Sequence, residues 1–227
     1  MLTATQTFQR TAPLEAGVYT AVCSMVVDLG IQYNQTFNKS TQQVKILWNI
    51  IGETIEINGD VLPRQVSKDF TMSLDERSTL RKMLQSWRGK AFTAEELQGF
   101  DLKKLLGAGC QLQLIHKTNE RGTFAVVENI MQLPKGTAKP AVENVAFFDL
   151  DDSATYETFE SLPRYMMEKI STAENFAASG LVLPDRNSNG SGGDVSSYGA
   201  PPPESYPGYV AAPGDYVEIE DDDDLPF

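Results

Sequence analysis

Tyr33, Phe37 and Lys39 sit close together in an otherwise polar stretch, IQYNQTFNKSTQQ (31–43). Aromatic rings take unstacked bases on their faces, and Lys or Arg neutralises the phosphates that join those bases. Rings and cations interleaved in this way are therefore what a single-stranded nucleic acid requires of a surface. The combination recurs at Lys45 and Trp48, at Arg64, Lys68 and Phe70, and at Lys117, Arg121 and Phe124. Several of these have a structural alternative. Trp48 alternates with Val44, Ile46 and Ile50 and reads first as core, with stacking as the other option. Phe70 shares a face with Val66 and Met72 but also with Lys68, so core and stacking are balanced there. Tyr33 and Phe37 have no apolar company to pack with, which favours a binding role.

Residues suited to catalysis are scarce. The one histidine, His116, has no Cys or carboxylate at ligand spacing, and there is no Gly-Lys-Ser/Thr phosphate loop. Asp149, Asp151 and Asp152 form an acidic cluster that reads as a solvated run rather than a divalent-ion site for nuclease chemistry. Cys23 and Cys110 are far apart and belong to no CxxC or Cys/His group, so neither a disulfide framework nor zinc is expected. The expectation is a binding protein with no catalytic residues, metal, cofactor or small-molecule substrate.

Charge is distributed unevenly. Residues 1–140 hold 16 Lys and Arg against 13 Asp and Glu, whereas residues 141–227 hold 3 against 18, which accounts for the net −12. This asymmetry suits a nucleic-acid-binding body carrying an acidic interaction tail. The Met1–Arg10 segment is polar, and no apolar run approaches the roughly 18 residues that span a bilayer. A soluble, unexported, cytoplasmic protein with no membrane partner is expected.

Several elements must position these residues. Gly17–Val27 reads as a first strand, 31–43 as a loop, Val44–Ile51 as a second strand and Arg64–Ser73 as a third, after a turn at Asn58-Gly59-Asp60. Ser73 with Glu76 is a capping-box signature before Leu80, Met83, Leu84 and Trp87, which predicts a helix of about four turns. Thr93 with Glu96 opens a second helical stretch, Glu95–Leu106, and a hairpin of Gln111–Lys117 with Thr123–Leu133 follows. The order β-β-β-α-β-β predicts a mainly β fold with a helical insertion, a five-stranded OB-type β-barrel over 1–140. Residues 141–184 read as an acidic appendix whose helix from Pro163 lays Tyr165, Met166, Ile170 and Phe176 on the core. Residues 185–217 are rich in Gly, Ser, Pro and Tyr and predict a flexible linker, disordered like the acidic tip 218–227 that follows it.

That tip combines Asp221, Asp222, Asp223 and Asp224 with Leu225, Pro226 and Phe227. Carboxylates speed encounter with a basic surface, while a terminal Phe and its α-carboxylate fit an apolar pocket edged by Arg or Lys. The ending resembles the acidic tip of bacterial and phage single-stranded DNA-binding proteins, with Leu225 where Ile is commoner. The body resembles phage and prophage replication proteins through GxYxA at Gly17–Ala21, ILWNI at Ile46–Ile50, LRKMLQSWRGKAFTAEEL at Leu80–Leu97 and LPKG at Leu133–Gly136. The tetrameric bacterial proteins lack this helical insertion, so their oligomeric state is not carried over. The resemblance implies a protein that binds and protects single-stranded DNA, largely without sequence preference, during replication and recombination. Its tip would recruit a helicase, primase, polymerase or nuclease. The alternative is a non-catalytic recombination or helicase-loading mediator whose barrel binds protein.

Overall fold

The computed structural model describes residues 12–184 apart from 36, 58, 59, 120, 121 and 143. The linker and tip residues 185–227 lie outside the described residues. β1 (Gly17–Asn34) is the centre of the fold, and its residues 21–30 are all buried because both of its faces are covered. It pairs with β2 (Lys39–Ile57) on one edge and β4 (Gly109–Asn119) on the other. β3 (Asp60–Thr71) adds to β2 and β5 (Gly122–Met131) to β4, all antiparallel, giving the order β3-β2-β1-β4-β5. The result is a mainly β molecule built on a curled five-stranded antiparallel half-barrel, left open between β3 and β5. A short β6 (Ala146–Phe148) runs parallel to Met25–Val27, on the β1 edge that β4 has by then left.

The stretch 31–43 is not a loop. β1 and β2 continue through it, paired as far as Asn34 and Lys39, and the chain reverses at 35–38 with Asn38 at φ 48°. Polar composition misled the prediction because this ribbon stands clear of the apolar cores. Pairing rather than burial holds it, so the alternation that marks a half-buried strand is absent.

Two irregularities in the β1–β2 register, at Cys23/Met25 and Asp28/Gly30, bend β1 so that it serves two cores. The inner core joins Val26, Ile46, Trp48, Phe70, Leu112 and Leu114 to Leu80, Leu84 and Trp87 of α1 (Thr79–Arg88). The outer core sets Met25, Val27, Leu29 and Leu47 against Phe148, Phe159, Met166 and Ile170. Burial of each such side chain contributes about 1.5–3 kcal/mol.

α1 begins later than predicted. Ser78 caps it by accepting from Arg81 N (3.5 Å), while Ser73 closes the preceding turn by accepting from Ser78 Oγ (2.6 Å). The second insertion helix is divided. α2 (Ala94–Gln98) has the expected Thr93/Glu96 capping box, but Gly99 ends it and the chain resumes as a 3-10 turn over Leu102–Leu105. The C-terminal module comprises α3 (Tyr156–Ser161), α4 (Arg164–Ser171) and α5 (Phe176–Ser179). α4 starts just after Pro163 and buries Tyr165, Met166 and Ile170 against the sheet, with Phe176 partly buried beside them. Among the described residues no helix is long and apolar enough to cross a membrane.

Candidate nucleic-acid interface

The β1–β2 ribbon ends in an aromatic tip. Tyr33 is 51% exposed and Phe37 45%, and they are the only exposed aromatic side chains among the described residues. Lys39 is exposed beside them. Tyr33 donates its hydroxyl hydrogen to Asn38 Oδ1 (2.5 Å), and Phe37 N donates to Asn34 Oδ1 (3.3 Å), so the turn orders itself. The Tyr33 ring and the Phe37 backbone are held in this way, and the two rings, open to solvent and next to a cation, offer a surface suited to stacking.

Other predicted residues are placed in the cores. Trp48 is 0% exposed, tilted against Trp87 with ring centroids 5.9 Å apart, so no face of it is open to a base. Phe70 is buried in the same core. Both follow from the inward face of their strands, where Val44, Ile46 and Val66 are neighbours. Lys45 points to the opposite face, yet it is buried too, because α4 covers that face. It pairs with Asp69, its cross-strand partner on β3, and Asp69 also accepts from Lys169 Nζ of α4 (2.8 Å). Burial would raise the Asp69 carboxyl, but the two ammonium groups outweigh it and hold the group at about 2. Burial lowers Lys169 to about 8, with Asp69 opposing the shift and Lys45 adding to it. This triad fastens α4 to β2 and β3, and Lys45 is part of that fastening rather than of a surface.

A second group gathers at the β3/β5 opening. Lys68 lies between Val66 and Phe70 on the inward face, and its Nζ donates to Val127 O (2.9 Å) and Glu128 O (3.4 Å) of β5. A side chain thus spans the gap that the backbone ladder leaves. Burial lowers the Lys68 pKa, Glu128 opposes the shift, and Lys117 on β4 lies near enough to lower it further. Lys117 is exposed and pairs across the hairpin with half-buried Phe124. Arg64 is half-buried, and its Nη2 donates to Ala12 O (2.7 Å). Arg121 and the tip residues Asp221, Asp222, Asp223, Asp224, Leu225, Pro226 and Phe227 lie outside the described residues.

The predicted residues therefore form two surface groups, the aromatic tip and the opening. Ile46, which faces Lys68, is seven residues along β2 from Lys39. That is about 23 Å of strand.

One basic and aromatic group was missed in the sequence. Arg88 lies over Phe92 (4.4 Å) and Phe100 (5.1 Å) and pairs with Glu96, while Lys103 reaches over Phe147 (5.2 Å) and Lys104 over Phe100 (6.0 Å). Arg88, Phe92, Glu96, Phe100, Lys103 and Lys104 all fall within residues 88–104, so their interleaved rings and cations were a local signal, and only Phe147 on β6 is remote. His116 Nε2 is 2.8 Å from Leu14 O, tying the chain before β1 to β4. The acidic cluster serves its own turn, with Asp149 Oδ1 accepting from Asp151 N (3.0 Å) and Asp152 Oδ1 from Ala154 N (3.0 Å). Among the described residues no three His, Cys, Asp or Glu side chains gather as metal ligands. Cys23 and Cys110 are free and buried, and burial pushes the Cys23 thiol up to about 12. Neither a protein-family model nor a curated protein matches the chain.

Proposed function

We propose that the protein binds single-stranded DNA, stacking bases on Tyr33 and Phe37 and neutralising phosphates with Lys39 and with Lys117 at the β3/β5 opening. The observation that carries this reading is the exposure of those two rings on an ordered tip beside a lysine, when every other described aromatic is buried or half-buried. The topology supports it. We read the five-stranded sheet in the order β3-β2-β1-β4-β5, open between β3 and β5 and with helices between β3 and β4, as an OB-type barrel. In such barrels the loop between strands one and two and the loop between strands four and five border the ligand. The tip is the first of these loops, and Lys117 and Phe124 flank the second. The acidic tip, Asp221–Phe227, then recruits replication and recombination proteins, its carboxylates attracting a basic surface that Phe227 enters.

A mediator that binds protein through the barrel is the second reading. It is favoured by Val18 and Ile51, which are exposed on the outer sheet face.

Binding of labelled oligo(dT) to full-length protein across a salt series, with duplex as control, tests the proposal. The parent is expected to prefer the single strand. Tyr33→Ala/Phe37→Ala is expected to lose about 30-fold or more, from stacking worth about 1–3 kcal/mol at each of the two rings. Unchanged affinity in that double variant removes the tip from the interface. Absence of any binding by the parent transfers the case to the mediator.

A further inference from the structure

The aromatic tip belongs to a two-stranded ribbon, and such ribbons are marginal on their own in water. Backbone accounting along the second edge of β1 shows what steadies this one. β4 pairs with residues 17–22, and then Ala108 O accepts from Cys23 N (3.0 Å) while Gly107 N donates to Cys23 O (2.9 Å). β6 pairs with 25–27, and Leu150 N donates to the Asp28 carboxylate (3.3 Å). Last comes the 172–175 loop between α4 and α5. Ile31 N donates to Asn175 Oδ1 (2.9 Å), and Glu174 N donates to Ile31 O (2.9 Å).

The same loop grips the ribbon by its side chains on both strands. Gln32 Nε2 donates to Lys169 O at the end of α4 (3.1 Å), the carbonyl to which Thr172 Oγ1 also donates (2.7 Å), and Thr172 Oγ1 lies 3.2 Å from Gln32 Oε1. On β2, Ser40 Oγ donates to Glu174 Oε1 (2.5 Å). Gly30, at φ +71°, lets the two come into contact, since a Cβ there would stand 2.6 Å from Ala173 Cβ. These contacts end one residue short of Tyr33 on β1 and one past Lys39 on β2.

We propose that the 172–175 loop is a clamp that presets the aromatic tip for its ligand, with Asn175 as the positioning residue. The proposal rests on the reading of the tip as the DNA interface. Rings held in place before binding spare the ordering cost that a mobile ribbon would incur on contact, and that cost is of the size that separates affinities severalfold.

The experiment uses full-length protein, oligo(dT) affinity and hydrogen exchange at the Ile31 amide. Asn175→Leu keeps the bulk and removes the acceptor; Asn175→Asp keeps the acceptor. Asn175→Leu is expected to speed exchange at Ile31 and weaken oligo(dT) binding about five- to tenfold. Asn175→Asp is expected to keep Ile31 protected and bind more tightly than Asn175→Leu despite its added negative charge. A merely structural role would lower affinity equally in any background. Positioning requires that Asn175→Leu have little further effect once Tyr33→Ala/Phe37→Ala has removed the rings. Ser40→Ala, which cuts only the Glu174 link, repeats the test with about a twofold loss should Asn175→Leu fold poorly. Fast Ile31 exchange with parental affinity overturns the clamp while leaving the tip reading intact, provided the Tyr33/Phe37 double variant has lost binding. Parental affinity in that double variant overturns both.

Discussion

Asp69 bridges the ammonium groups of Lys45 and Lys169, so Asp69→Asn removes the carboxylate that these two buried cations share. Against a usual 3.8, Asp69 lies at about 2, despite burial that alone would raise it. The difference corresponds to roughly 2–3 kcal/mol in favour of the charged form in the folded protein. Loss of one partner from a buried ion pair typically costs about 3–5 kcal/mol, and Asp69→Asn is expected in that range. Lys169→Met is expected to behave differently. Burial takes Lys169 from 10.5 to about 8, which weighs about 3 kcal/mol against its charged form, and the variant leaves a balanced Lys45–Asp69 pair. It should fall within about 1 kcal/mol of the parent or exceed it. Their pH dependences have distinct signs. The folded pKa of Asp69 is depressed, so its contribution is complete above about 4 and is lost as pH falls through about 2. The folded pKa of Lys169 is depressed as well, so between about 8 and 10.5 the unfolded chain holds a proton that the folded one does not. Stability contributed by Lys169 therefore rises across that alkaline window, and Lys169→Met abolishes the rise. Urea unfolding of full-length protein, followed by fluorescence of Trp48 and Trp87, measures both effects. An Asp69→Asn protein within 1 kcal/mol of the parent, or one more stable than Lys169→Met, would refute the reasoning.

Lys68→Met removes the ammonium that bonds two β5 carbonyls and is expected to cost about 1–3 kcal/mol. Amide exchange should rise in β5 before β1, and uniform protection along β5 would show that the opening is held by other means. Gly30→Ala combines backbone strain at φ +71° with collision against Ala173, for a loss of about 2–5 kcal/mol in thermal unfolding. Gly52→Ala, at φ +85° with nothing within 4 Å, serves as its control and should show strain alone, about 1–3 kcal/mol. Equal losses at the two glycines would argue against close contact at Gly30. Deletion of residues 218–227 is expected to tighten oligo(dT) binding at low salt and leave it unchanged at high salt, since an acidic segment competes with phosphate only while unscreened. Equal affinity of full-length and truncated protein across the salt series contradicts that competition.

Strands were legible where burial imposes a pattern. Val44, Ile46, Trp48 and Ile50 alternate and fill the inner core, and Leu80, Met83, Leu84 and Trp87 repeat at helical spacing and face it. The ribbon was illegible because its order comes from a partner far along the chain: Ile31 bonds to Asn175, 144 residues away. The triad was hidden for the same reason. Lys45 reads as an exposed strand residue until α4 is laid across that face. The site was legible to a similar extent. Tyr33 and Phe37 were identified from their polar company and are exposed, whereas Trp48 and Phe70 carry the same chemistry on inward faces, which composition cannot distinguish. The Arg88 group was missed although, apart from Phe147, its rings and cations lie within residues 88–104.

A chain of net charge −12 that approaches a polyanion has to separate attraction from contact. Two of the lysines that face β3, Lys45 and Lys169, are buried and share the Asp69 carboxylate, so neither ammonium is placed to contact a phosphate. Lys68 is turned onto β5 carbonyls. Among the described residues of the proposed interface that leaves Lys39 and Lys117 as the exposed cations, too few for phosphate neutralisation by them to supply most of the binding. Stacking on Tyr33 and Phe37 then has to supply the larger share. Stacking contributes fully only if the rings need not be ordered at the moment of contact, and so a weakly basic interface depends more on a preset tip than a strongly basic one would. The outer core, the triad and the 172–175 clamp are connected by this requirement. The C-terminal helices that bury the outer face of β1 and β2 also carry the loop that fixes where the rings stand.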